Sequence, residues 1–144
     1  MLISRIFSAV AVAACALSLC AAPAAAVEQD ELDVRGATAE SALAILGSAR
    51  LSIKVLAMTI VPPSQFRSFD NIITSESGWD VFALNPVSGA YGLGQALPPE
   101  KMASHGLDWP FNPVTQIRWA YDYMNARYGS PDAAWAFWQR YHWY

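Results

Sequence analysis

Asn112-Pro113 and Ser130-Pro131-Asp132 set the same punctuation twice in the final third of the chain. In each, a side chain able to cap a helix precedes a proline whose fixed φ suits the first helical position. Behind the first lies a stripe of Ile117, Ala120, Tyr121, Met124 and Tyr128 at helical spacing, which Gly129 is placed to end. Behind the second come Ala134, Phe137, Trp138 and Tyr141. A third unit lies upstream, with Ser64 as the expected N-cap, Phe66, Phe69, Ile72 and Ile73 along one face, and Gly78 as the stop. Three amphipathic helices within about 80 residues restrict this part of the chain to a small, mainly α domain.

That domain has to hold together without cross-links. Both cysteines, Cys15 and Cys20, fall inside residues 1–26, which read as an export signal. Arg5 supplies the positive start, Ile6 to Leu19 the apolar run, and Ala24-Ala25-Ala26 the small residues of a cleavage site. The run is shorter than the roughly 20 residues of a membrane span. Leu19 is too bulky for a lipid-anchor site at Cys20. A secreted chain processed there keeps no thiol, so packing alone stabilises it. Six tryptophans, six tyrosines and six phenylalanines, nearly all in the C-terminal two-thirds, supply that packing.

Between the signal and the three helices lies residues 27–61. Val27 to Arg35 carries Glu28, Asp30, Glu31 and Asp33 and reads as a solvated N-terminal arm. Gly36 to Val61 is alanine-rich and then apolar, and a helix is favoured there over a strand. Arg50 and Lys54 argue against a second membrane span, and Pro62-Pro63 closes the segment. Residues 62–144 form the domain proper. The whole chain has a net charge of −3 and no basic patch, which argues against nucleic acid as a partner.

The chemistry concentrates in residues 76–95, ESGWDVFALNPVSGAYGLGQ. Glu76 lies three and four residues beyond Ile73 and Ile72, so it extends the apolar stripe of its helix. Burial beside apolar groups and the negative end of the helix dipole both disfavour the ionised form. A carboxylic acid that keeps its proton near neutral pH can protonate a glycosidic oxygen as the sugar bond breaks. Downstream, Asn85-Pro86-Val87-Ser88-Gly89 is rich in turn formers, and Gly89, Gly92 and Gly94 permit close approach of backbone. No lysine follows these glycines, so a phosphate loop is not indicated. Gln95 offers an amide donor and an acceptor suited to a sugar hydroxyl or acetamido group.

E-S-G-W followed by S-G-A-Y-G-L-G-Q resembles the soluble lytic transglycosylase domain of the lysozyme-like superfamily. The continuation Ala96 to Ala103 and the later Arg127-Tyr128-Gly129-Ser130-Pro131 resemble its small secreted actinobacterial branch. The similarity covers Gln65 to Tyr144. It implies a goose-type lysozyme-like helical fold and cleavage of peptidoglycan between N-acetylmuramic acid and N-acetylglucosamine. By the family pattern Glu76 is the catalytic acid, while Ser77, Tyr91 and Gln95 fall near the acid or the substrate. The aromatic-rich C-terminal end offers Trp138, Tyr141, Trp143 and Tyr144, some of which, Trp138 among them, are expected to line a sugar groove. Two features depart from the family. Its late A-Y-N segment is here Ala136-Phe137-Trp138-Gln139, and its cysteine pair, near Ser68 and Asp132, is missing. A less stable domain than its relatives is therefore expected.

The mechanism the resemblance implies uses Glu76 as sole acid and base and yields a 1,6-anhydro product. A lysozyme-type hydrolase would need a second carboxylate about 5–5.5 Å away. Asp80 lies beyond Gly78, Asp70 points away on the helix, and Asp108 has no fixed place. A non-catalytic wall-binding module is the other alternative. His105 and His142 are the only histidines, without metal-ligand spacing, and Ser75 and Ser77 lack a nucleophile elbow. No cofactor or metal is called for. The expected partner is the peptidoglycan strand, met by a monomer outside the cell.

Overall fold

The protein is described by a computed structural model, which covers the backbone of residues 24–144 and the side chains of Gly36 and of residues 38–144. The export signal therefore lies outside the described residues except for Ala24–Ala26. The chain separates into two compact units, residues 1–39 and 40–144. Among the described residues four α-helices follow in order: α1 (Ala24–Met58), α2 (Pro63–Ser77), α3 (Pro113–Tyr128) and α4 (Pro131–Tyr141). A 3-10 helix, Pro99–Ser104, lies between α2 and α3. Among the described residues there is no β-strand, only isolated bridges from Tyr91 to Leu84 and to Ala96.

Val27–Arg35, expected as a solvated arm, is helical backbone within α1. Glutamate, glutamine, leucine and arginine favour helix, and no proline interrupts the run. In the second unit Leu51, Ile53 and Val55 lie on helix, which was favoured over the strand that their alternation also allowed. Thr38–Met58 is long and apolar enough to cross a membrane by length and composition. Leu43, Ile45, Leu46 and Leu51 are exposed along it. Its C-terminal end belongs to the core of the second unit. Ala57 is buried, Ile53 and Leu56 pack on the core, and Lys54 pairs with Asp70 at 2.7 Å.

Helix ends follow local chemistry. Proline occupies the first turn of α2, α3 and α4. Asn112 accepts from Val114 N–H at 2.9 Å and Ser130 Oγ from Ala133 N–H at 3.1 Å, as capping residues do. Ser64, the expected cap of α2, lies inside that helix. Pro62 holds the cap position and offers no side-chain bond. Gly78 and Gly129 close α2 and α3 in the left-handed conformation, at φ 59° and 87°.

The core gathers Phe69, Ile72 and Ile73 from α2, Ile117, Ala120 and Met124 from α3, and Ala134 from α4. Leu93 and Met102, from the segments between helices, are fully buried with them. Helices α2 and α4 lie side by side, and Ser68 Oγ on α2 donates to the Asp132 carboxylate on α4.

Candidate active site

Glu76 sits half-buried on the last turn of α2. The indole N–H of Trp138 on α4 donates to Glu76 Oε1 at 2.9 Å. Burial pushes the Glu76 carboxyl above its usual range, and the Trp138 bond, which stabilises the ionised form, offsets part of that rise. The outcome is a carboxyl group with a raised pKa and one oxygen held in place. Trp138 stacks in turn on Trp135, with centroids 5.1 Å apart and planes at 16°, which fixes the indole.

Other carboxylates are engaged elsewhere. Asp70 accepts from Trp79 Nε1 at 2.8 Å and from Thr74 Oγ1 at 3.1 Å, beside Lys54. Burial works against its charge, but Lys54 and these donors outweigh it and leave Asp70 below the usual carboxylate range. Asp80 accepts from the Phe82 N–H at 2.8 Å in the turn after α2. Asp108 accepts from Asn112 and Thr115, which hold its pKa down. Asp122 pairs with His105 at 2.8 Å. Among the described residues no group of three or more His, Cys, Asp or Glu is placed to hold a metal ion.

The glycine-rich segment lies against the end of α2 because polar side chains tie it there. Ser77 Oγ donates to Leu93 O at 2.9 Å and to its own helix at Ile73 O. Its hydroxyl therefore joins the acid's helix to the loop. Gln116 on α3, fully buried, accepts from Leu93 N–H at 2.8 Å and donates to Val81 O at 3.1 Å and Trp109 O at 2.8 Å. Gly92 has φ 77°, and a Cβ there would meet Gln116 Oε1 at 2.5 Å, so only glycine fits between them.

Tyr91 and Gln95 are also framework. Tyr91 donates its hydroxyl to Pro110 O at 2.7 Å and sets its ring edge-on to Trp109. Burial and the nearby Asp80 charge keep its phenol above the usual value. Gln95 has φ 46°, and its Nε2 donates to Gly92 O at 3.0 Å and Ala83 O at 3.2 Å. Its side-chain oxygen remains as an acceptor.

Three residues that sequence reasoning passed over or placed only loosely complete the surroundings. Tyr144 donates to Gly94 O at 2.8 Å, and burial with the Glu76 charge pushes its phenol well above the ordinary value. Tyr128 Oη is buried without a hydrogen-bond partner, and burial raises its pKa against the opposing charge of Arg127. Gln116 had a faint signal, since it shares the face of Ala120, four residues on, in an otherwise apolar stripe. Tyr141, half exposed, packs on Phe137 with ring centroids 4.5 Å apart. Comparison with protein-family models, with curated proteins and with solved structures gives no match for this chain.

Proposed function

We propose that this protein is a secreted lytic transglycosylase that cuts peptidoglycan between N-acetylmuramic acid and N-acetylglucosamine. Glu76 is its only acid and base, and residues 62–144 carry a lysozyme-like helical fold. The reading rests on one observation above the rest: a half-buried carboxyl with raised pKa, held by an indole N–H, at the end of a helix whose other carboxylate, Asp70, is bonded elsewhere.

In this mechanism the protonated Glu76 gives its proton to the bridging oxygen as the C1–O bond breaks. The substrate's own N-acetyl group stabilises the positive charge at C1. Glu76, now a carboxylate, takes the proton from the 6-hydroxyl, whose oxygen closes on C1. The acid is regenerated and no water is consumed. Trp138 keeps one carboxyl oxygen fixed through both proton transfers, and the charge on Glu76 between them is the form its N–H favours. Gln95 and the aromatic rings around Tyr144 contact the glycan. No cofactor takes part, and the mature protein works as a monomer at the cell wall without a membrane span.

Release of soluble fragments from purified peptidoglycan tests the proposal. The protein should clear a wall suspension and Glu76→Gln should not. Retained wall binding with no clearing by either form would favour a non-catalytic binding module. That is the reading which the altered Ala136-Phe137-Trp138-Gln139 segment would suit.

A further inference from the structure

Beside the Glu76 site lies a second feature that acid chemistry does not use. A cavity of about 250 Å³ opens between Gly94 and Gln95 of the glycine segment and the rings of Trp119, Tyr123, Trp143 and Tyr144. Gly94 contributes backbone to its wall, since a Cβ there would meet Tyr144 Oη at 2.9 Å. The only charged side chains lining the cavity are cations, Lys101 and Arg127, in a chain whose net charge is −3.

Neither cation has a carboxylate partner among the described residues, where the ion pairs are Lys54–Asp70 and His105–Asp122. Arg127 is held by rings instead. Its guanidinium lies 5.5 Å from the ring centroids of Tyr128 and Trp143 and 5.8 Å from that of Tyr123, and Nη1 donates to Tyr123 Oη at 2.7 Å. This fixes the planar fork while leaving it uncompensated. Lys101 is anchored by its Nζ to Leu97 O at 2.6 Å. Unpaired, pre-positioned cations on an aromatic-walled cavity suit a carboxylate attached to an apolar or sugar body, which guanidinium can grip with two parallel hydrogen bonds.

We propose that this cavity is a carboxylate subsite for an acidic substituent of the glycan, held by Arg127 and Lys101. The inference rests on the glycan reading of the Glu76 site and adds a charge preference to it. Tyr144 joins the two places, since its hydroxyl bonds Gly94 O and its ring lines the cavity while Glu76 acts on its phenol. In peptidoglycan such a carboxylate has two sources, the lactyl group of the muramic sugar and the stem peptide attached to it.

Calorimetric binding to the full chain carrying Glu76→Gln, which blocks turnover, tests this with three tetrasaccharides of alternating N-acetylglucosamine and N-acetylmuramic acid. One has free lactyl carboxylates, one carries stem peptides, and one has every carboxyl converted to the methyl amide. At least one acidic form should bind about tenfold more tightly than the amide, the scale of a charge-assisted hydrogen-bond pair, and the favoured form identifies the source. Adding Arg127→Gln should erase that ratio without weakening the amide form. Lys101→Met, which leaves the ring-packed arginine in place, should reduce it. Equal binding of all three oligomers, unchanged by either substitution, would overturn the subsite while the glycan reading stands. Binding of none would overturn both.

Discussion

The indole N–H of Trp138 reaches Oε1 of Glu76 across 2.9 Å, joining residues 62 positions apart in the chain. Helix α4 thereby positions the acid that α2 presents. The bond opposes the effect of burial on the same carboxyl, so the pKa of Glu76 is a balance of two nameable causes. Each can be altered separately.

Removing the bond should move the balance toward the protonated form. In Trp138→Phe an aromatic ring remains to stack on Trp135, but the donor that favours the carboxylate is lost. The pKa of Glu76 should rise further, and the alkaline limb of the pH–rate profile should shift to higher pH. A looser carboxyl should also lower the maximal rate about ten- to a hundredfold. A rate loss with an unmoved profile would reduce Trp138 to a packing residue.

Burial of Glu76 carries a stability cost whose sign depends on pH. Because the folded-state pKa lies above the unfolded one, the folded protein binds the proton more tightly. Any stability linked to that proton is complete below the unfolded pKa and is lost as pH rises through the raised folded value. Glu76→Gln keeps the shape and an oxygen for Trp138 but carries no charge. It should melt at a higher temperature than wild type at neutral pH, with the gain shrinking as pH falls through the raised folded value and gone below about 4.3, the ordinary glutamate value. A thermal-melt series across pH measures this.

Gln116 holds the glycine segment against α3 through three buried bonds to Leu93, Val81 and Trp109. Gln116→Leu keeps much of the volume and leaves those backbone groups unpaired, at about 1–3 kcal/mol each. A loss of about 3 kcal/mol or more in denaturant unfolding is expected, with wall-clearing activity falling alongside. An unchanged midpoint would mean the segment is held by other contacts.

Ser68 and Asp132 meet by a hydrogen bond although they lie 64 positions apart. Replacing both by cysteine should permit a disulfide between α2 and α4. Chain-entropy reasoning for a loop of that length gives a gain of about 4 kcal/mol. Denaturant unfolding of the oxidised and reduced double variant reads the difference directly, and equal midpoints would show that the geometry does not accommodate the bridge.

How much of this was legible in the sequence follows from the range of the interactions. Helices α3 and α4 announce themselves because Asn112-Pro113, Ser130-Pro131 and Gly129 act on their own neighbours. The inward position of Glu76 was readable for the same reason, as the continuation of a helical stripe. Its partner was not, because periodicity on α4 says nothing about which residue of α2 an indole will face. Tyr91 and Ser77 were singled out by the family resemblance, yet the atoms they bond, Pro110 O and Leu93 O, are set by how the glycine segment folds back. Gln116 was missed because a glutamine inside a helix looks like a surface residue until its three partners arrive from distant segments. Val27–Arg35 was read by its charge, which does not report the helical backbone it adopts.

In the proposed mechanism Glu76 acts alone, and that makes one product distinguishable from any other. Mass spectrometry of the muropeptides released from purified peptidoglycan, run for wild type beside Glu76→Gln, examines it directly. Wild type should release N-acetylmuramic ends lighter by one water, the 1,6-anhydro form, and Glu76→Gln should release none. Reducing ends from wild type would contradict a single-carboxylate mechanism and require a second acid within reach of the cut.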